Sequence, residues 1–187
     1  MKLQNEKFTI DIAVINTTNC NFNDDYVVYF QENAEDEFSK TRILVIDNDE
    51  IIHKIALVGD MFLYEEHCAV LEDTVLTVLQ NNMLVQIDLS TCRVTNQKPI
   101  EEFGGNFKLH LTPVGYLVYG ESVVATYDSD LNQIWNFSGK DIFATISDKT
   151  AFTIENDSIK LYDFEDNFYE LDFDGNLLTE RDDKSTN

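Results

Sequence analysis

The sequence predicts an all-β fold built from about four antiparallel, four-stranded repeats. Three observations carry this: a recurring phrase of apolar residue, Asp and short polar turn; hairpin dipeptides at a near-constant offset upstream of it; and no window of sustained 3.6-residue periodicity. The phrase reads Ile46-Asp47-Asn48-Asp49, Ile87-Asp88-Leu89-Ser90, Tyr127-Asp128-Ser129-Asp130 and Tyr162-Asp163-Phe164-Glu165. With Asp47, Asp88, Asp128 and Asp163 as markers, the spacings are 41, 40 and 35 residues, a period that suits one small sheet per repeat.

The elements follow in order. A first strand is read in each repeat over residues 8–15, 61–71, 107–114 and 142–146. A second strand ends in the last three repeats at Asn81-Asn82, Gly120-Glu121 and Asn156-Asp157, residue types that tolerate the positive φ of tight hairpins. In the first repeat the same connection is longer, running from Gln31 through Glu32, Glu35, Asp36 and Glu37 to Lys40, and reads as an inserted surface loop. A third strand leads to each Asp marker, and a fourth follows over 51–57, 93–100, 133–137 and 168–173, for sixteen strands and almost no helix. A further hairpin at Asp174-Gly175 is expected to return a closing strand to the first repeat. Residues 1–181 read as one repeat domain and 182–187 as a disordered polar tail.

The segment Val124-Ala125-Thr126-Tyr127-Asp128-Ser129-Asp130-Leu131-Asn132-Gln133-Ile134-Trp135 resembles the repeats of the PQQ-type and WD40-like propeller superfamily, where strand, Asp-containing turn and Trp-bearing strand recur in each blade. At the matching places the other repeats carry Ile51-Ile52, Val94-Thr95 and Phe168-Tyr169 in place of the Trp. The resemblance implies a small β-propeller-like ring, closed or partly open, with two packed sheets as the remaining arrangement.

Acids outnumber Lys and Arg 35 to 13, for a net charge of −22, so nucleic acid and anionic membranes would be repelled and a basic protein is the complementary partner. The simpler reading is that acidity keeps a β-rich chain soluble and discourages edge pairing. The N-terminal residues show no signal-peptide pattern and no apolar run approaches a membrane span, from which a cytoplasmic protein is expected. Cys20, Cys68 and Cys92 are odd in number and widely spaced, as reduced packing thiols are.

His53, His67 and His110 fall in three separate strand runs and lack the spacing of metal ligands, so no metal and no cofactor is expected. Glu170, Asp172 and Asp174 before Gly175 open like a calcium loop, but the place of its bidentate acid is Arg181; an alternating strand entering an Asp-Gly turn accounts for the same residues. No Gly-rich phosphate loop, nucleophile elbow or Cys–His arrangement is present, which points away from an enzyme. The acids themselves are the functional lead: Asp24, Asp25, Glu32, Glu35, Asp36 and Glu37 without an intervening Lys or Arg, and Asp163, Glu165 and Asp166 in the last repeat. In size, charge and lack of catalytic motif the chain resembles the small acidic immunity proteins of bacterial contact-dependent inhibition systems. That resemblance implies a monomeric inhibitor of a cationic nuclease toxin, with Tyr26 or Tyr64 as aromatic anchors. A propeller adaptor and a calcium-linked carbohydrate-active propeller are the alternatives.

Overall fold

A computed structural model describes residues 1–17, 23–29, 38–47, 49–59, 66–80, 82–100, 104–146 and 148–182. Contacts divide the chain into two compact units, Met1–Ile100 and Glu101–Asn187. All regular structure among the described residues is β, and no helix is long and apolar enough to cross a membrane.

In the first unit, β1 (Lys2–Gln4), β2 (Thr9–Thr17), β3 (Tyr26–Tyr29), β4 (Phe38–Asp47) and β5 (Glu50–Gly59) form a sheet in the order β1-β2-β4-β5-β3. Its pairings are antiparallel except the last, in which β3 lies parallel to β5, Tyr26 against Ile55 and Tyr29 against Val58. The exposed residues Glu50, Ile51 and Ile52 begin β5, and its buried run from Ile55 to Gly59 coincides with the length that β3 covers. The fifth strand of this sheet, β3, thus lies just before the inserted segment of the first repeat. The Gln31 to Glu37 stretch of that segment lies outside the described residues.

The second sheet is a meander of β6 (Ala69–Glu72), β7 (Val75–Gln80), β8 (Met83–Asp88) and β9 (Arg93–Pro99). Position in the sheet explains its sequence: the inner strands β7 and β8 are buried almost throughout and read as continuous apolar runs, while the edge strand β9 alternates between exposed and half-buried residues.

The second unit holds two further meanders, β10 (Asn106–Leu111), β11 (Tyr116–Gly120), β12 (Val124–Tyr127), β13 (Gln133–Phe137), and β14 (Phe152–Glu155), β15 (Ser158–Tyr162), β16 (Asn167–Asp172), β17 (Leu177–Asp182). Leu117, Tyr119, Val124, Phe152, Ile159, Leu161, Tyr169 and Leu171 pack into one core with Phe143, which is fully buried. Residues 142–146, expected as a strand, are irregular. Phe143 is instead a plug held by backbone: its N–H donates to the Glu121 carbonyl at 2.6 Å, and its own carbonyl accepts the Tyr119 hydroxyl at 2.6 Å. Ile146 beside it is 81% exposed.

The strand missing from 142–146 is supplied from the far end. β17 pairs antiparallel with β16, from Asn167 against Asp182 to Leu171 against Leu177, so the Asp174-Gly175 hairpin completes its own sheet and does not return to the first. β17 also runs through Asp182, into the segment read as tail; 183–187 lie outside the described residues. The fourth repeat is therefore shifted by one strand. The aspartate at the end of the third strand in each sheet's order is Asp47, Asp88, Asp128 and Asp172, at spacings of 41, 40 and 44, and Asp163 occupies the preceding turn. None of the four sheets closes on itself among the described residues.

Candidate functional site

The acids that dominate the composition are organised by a turn that occurs three times in the second unit as Asp-x-acid-x-Asn: Asp128-Ser129-Asp130-Leu131-Asn132, Asp163-Phe164-Glu165-Asp166-Asn167 and Asp172-Phe173-Asp174-Gly175-Asn176. In each, the first Asp accepts the backbone N–H of the Asn four residues on, at 2.7, 2.9 and 2.8 Å, and its other oxygen accepts that Asn's side-chain amide at 3.0, 2.9 and 2.9 Å. The fourth position is left-handed in all three, with φ 61° at Leu131, 63° at Asp166 and 83° at Gly175. This is the three-residue hairpin loop with a bulge, fixed by an Asp–Asn clasp.

The clasp separates two roles for acids. The first-position carboxylate is spent on the turn, and hydrogen bonds from Asn176 hold Asp172 below the ordinary carboxylate range. The third-position acid, Asp130, Glu165 or Asp174, is exposed at the tip. The turns carrying Glu165 and Asp174 lie at opposite ends of one sheet, so these tips are a repeated display and not one patch.

The sequence-predicted contact residues are distributed accordingly. Glu32, Glu35, Asp36, Glu37 and the anchor Tyr64 lie outside the described residues. The Asp24 side chain is 3% exposed and paired with Lys40, whose side chain is 10% exposed. Asp25 is exposed, and its carboxylate accepts the Lys54 N–H at 2.8 Å, extending the β3–β5 ladder. Glu165 is exposed, whereas Asp166 is half-buried, 3.4 Å from Lys149.

Asp163 differs most from its expected place. It is fully buried and accepts hydrogen bonds from the N–H groups of Glu165 and Asn167, the Asn167 amide and the Tyr169 hydroxyl. Burial first, and then the Asp163 carboxylate, push the Tyr169 phenol up to about 12, so it remains a donor at any physiological pH.

In the first unit, Asp25, Tyr26, His53, Lys54, Ile55, Thr91, Cys92 and Arg93 line a cavity of about 160 Å³. Sequence reading did not bring His53 and Cys92 together, because they lie in different sheets. Arg93 is 5.5 Å from the centroid of the half-buried Tyr26 ring. Burial, with the nearby charges of Asp88 and Asp25, raises the Cys92 thiol above its ordinary value, and its Sγ lies 3.3 Å from the Leu89 carbonyl as a donor. A nucleophilic cysteine needs the reverse shift. Alkylation with iodoacetamide near pH 8 should therefore modify Cys92 at least ~10-fold more slowly than a free thiol, read by peptide mass spectrometry; an equal rate would contradict this protonated, enclosed state.

Two of the three residues of the calcium-like opening are engaged within the sheet, and Asp174 is displayed at the turn tip. Glu170 accepts the Ser158 hydroxyl at 2.8 Å and Asp172 holds Asn176. Among the described residues no group of three or more His, Cys, Asp or Glu is arranged to hold a metal ion. His110, in the second unit, packs 5.3 Å from Phe152. No family model matches the chain, and no curated protein is similar to it.

Proposed function

We propose that the protein is a non-enzymatic, protein-binding inhibitor: an immunity protein that neutralises a cationic nuclease toxin in the bacterial cytoplasm, its four sheets serving as blades of a propeller-like ring. The observation that carries this reading is the excess of 35 acids over 13 Lys and Arg, with acids held at the tips of clasped turns. Carboxylates on rigid turns stand in for phosphates in a nucleic-acid cleft, and fixing them beforehand reduces the ordering that binding would require. A large opposite charge also speeds encounter, which an inhibitor of a lethal enzyme needs.

The test is capture from a native lysate at low salt, followed by stopped-flow kinetics. One strongly basic protein should be recovered. Replacing Asp130→Asn, Glu165→Gln and Asp174→Asn together should slow association about tenfold and leave dissociation nearly unchanged, with the difference shrinking as salt rises. Recovery of no basic partner would end the proposal. The adaptor reading draws on Ile134, Leu177 and Leu178, apolar and exposed on edge strands. It predicts a complex whose association rate barely depends on salt.

A further inference from the structure

The cavity between the first two sheets of the first unit holds an acid and a base that do not meet. Paired residues of a sheet share a face, so His53 and Ile55, set against the core residues Val45 and Ile43, point inward. Tyr26, set against Ile55, points with them. On the other side stand Thr91, Cys92 and Arg93, where the β8–β9 turn enters β9, and the space between is about 160 Å³.

Asp25 uses one carboxylate oxygen to accept the Lys54 N–H at 2.8 Å, and the other oxygen has no partner among the described residues. Arg93 is exposed, and its guanidinium rests 5.5 Å from the Tyr26 centroid with no hydrogen bond or ion pair among the described residues. A ring orients a guanidinium but leaves its N–H donors open along the edge of the plane. The nearest acid by register is Asp88, paired with Arg93 across the turn. Its carboxylate instead accepts the Ser90 N–H at 2.8 Å, the Ser90 hydroxyl at 2.6 Å and the Thr91 hydroxyl at 3.1 Å.

Counting Asp88, whose charge reaches the Cys92 thiol, two acids stand against the two bases Lys54 and Arg93. Such balanced surroundings favour neither a lone anion nor a lone cation. They suit a molecule that carries both charges and can reach Asp25 and Arg93 together, and the volume, below the roughly 300–1,000 Å³ of drug-sized sites, limits it to a few heavy atoms.

We propose that this cavity binds a small zwitterion, an amino acid of few carbons, with its carboxylate on the Arg93 guanidinium and its ammonium on the open oxygen of Asp25. The half-buried His53 ring, which has no hydrogen-bond partner among the described residues, adds a polar contact, and Ile55 and the Tyr26 ring face the carbon chain. The proposal does not rest on the inhibitor reading.

The test is a ¹H–¹⁵N NMR titration of the full chain with glycine, β-alanine and 4-aminobutyrate in turn, and with acetate and methylammonium separately, at constant ionic strength. The expected result is saturable shifts in the amides of 25–27, 53–55 and 91–93 with at least one of the three zwitterions, which should bind about tenfold or more tighter than either single ion. Asp25→Asn, which keeps an oxygen for the Lys54 N–H, should weaken the zwitterion about tenfold and leave the response to acetate unchanged. Arg93→Gln, at an exposed position, should weaken the zwitterion by a similar factor with the rest of the spectrum unchanged. The site is overturned if no zwitterion saturates, if acetate or methylammonium alone binds as tightly, or if both variants keep the wild-type affinity.

Discussion

Asp163→Ala is expected to destabilise the 101–187 unit by about 3–5 kcal/mol, measured by urea unfolding followed by circular dichroism. The carboxylate has no exposure, and it accepts from neutral donors: two backbone N–H groups at 3.0 and 2.9 Å, the Asn167 amide at 3.1 and 2.9 Å, and the Tyr169 hydroxyl at 2.8 Å. Removing it strands several buried donors at once, each costing about 1–3 kcal/mol before relaxation. Asp128→Ala removes the same clasp from a turn exposed to water, where solvent replaces the lost acceptor, and should cost only about 1 kcal/mol. Equal losses at the two positions would show that burial is not what makes Asp163 matter.

The same residue sets an acid limit. Burial alone would raise the Asp163 pKa, but hydrogen bonds from Asn167, Tyr169 and Glu165 together outweigh it and hold the group below its ordinary 3.8. A group depressed on folding stabilises the fold fully above its unfolded value and loses that contribution as pH falls through the folded one. Wild-type stability should therefore fall below about pH 3.8 with a component that Asp163→Asn lacks.

The second and third meanders were legible because their signals are local. Continuous apolar runs mark their inner strands, and in the fourth sheet Asn156-Asp157 marks a tight turn, with φ of 49° and 62°. The fourth repeat was misphased because two successive turns share the Asp-x-acid-x-Asn pattern, so nothing within either says which follows the third strand. Only counting would have shown it: 44 residues from Asp128 to Asp172 keep the period better than 35 to Asp163. The parallel pairing of β3 with β5 was not readable, since it depends on a contact between segments far apart in sequence. Residues 142–146 carry apolar residues in the manner of a strand, but Phe143 alone is used. At the candidate site, acidity was visible and its division between clasping and displayed acids was not, because the clasp pairs each Asp with an Asn that the marker phrase omitted.

Gly175→Ala should cost about 2–4 kcal/mol and perturb the single Trp of the chain, which makes the effect directly visible. At φ 83° the residue sits in the left-handed region that L side chains adopt at a penalty of about 1–2 kcal/mol. An added Cβ would also lie 2.6 Å from Trp135 Cδ2 and 2.8 Å from Cγ, atoms near the ring's attachment that cannot swing aside. The ring is tethered there as well, its Nε1 donating to the Phe173 carbonyl at 2.9 Å, so β13 and the β16–β17 turn are joined at this point. Relief of the clash must break that bond, and Trp135 fluorescence should shift to the red. The two causes separate in a double-mutant cycle: with Trp135→Leu as background the overlap is gone, and Gly175→Ala should then cost only the backbone penalty, about 1–2 kcal/mol. An unchanged cost in that background would place the whole effect in the turn.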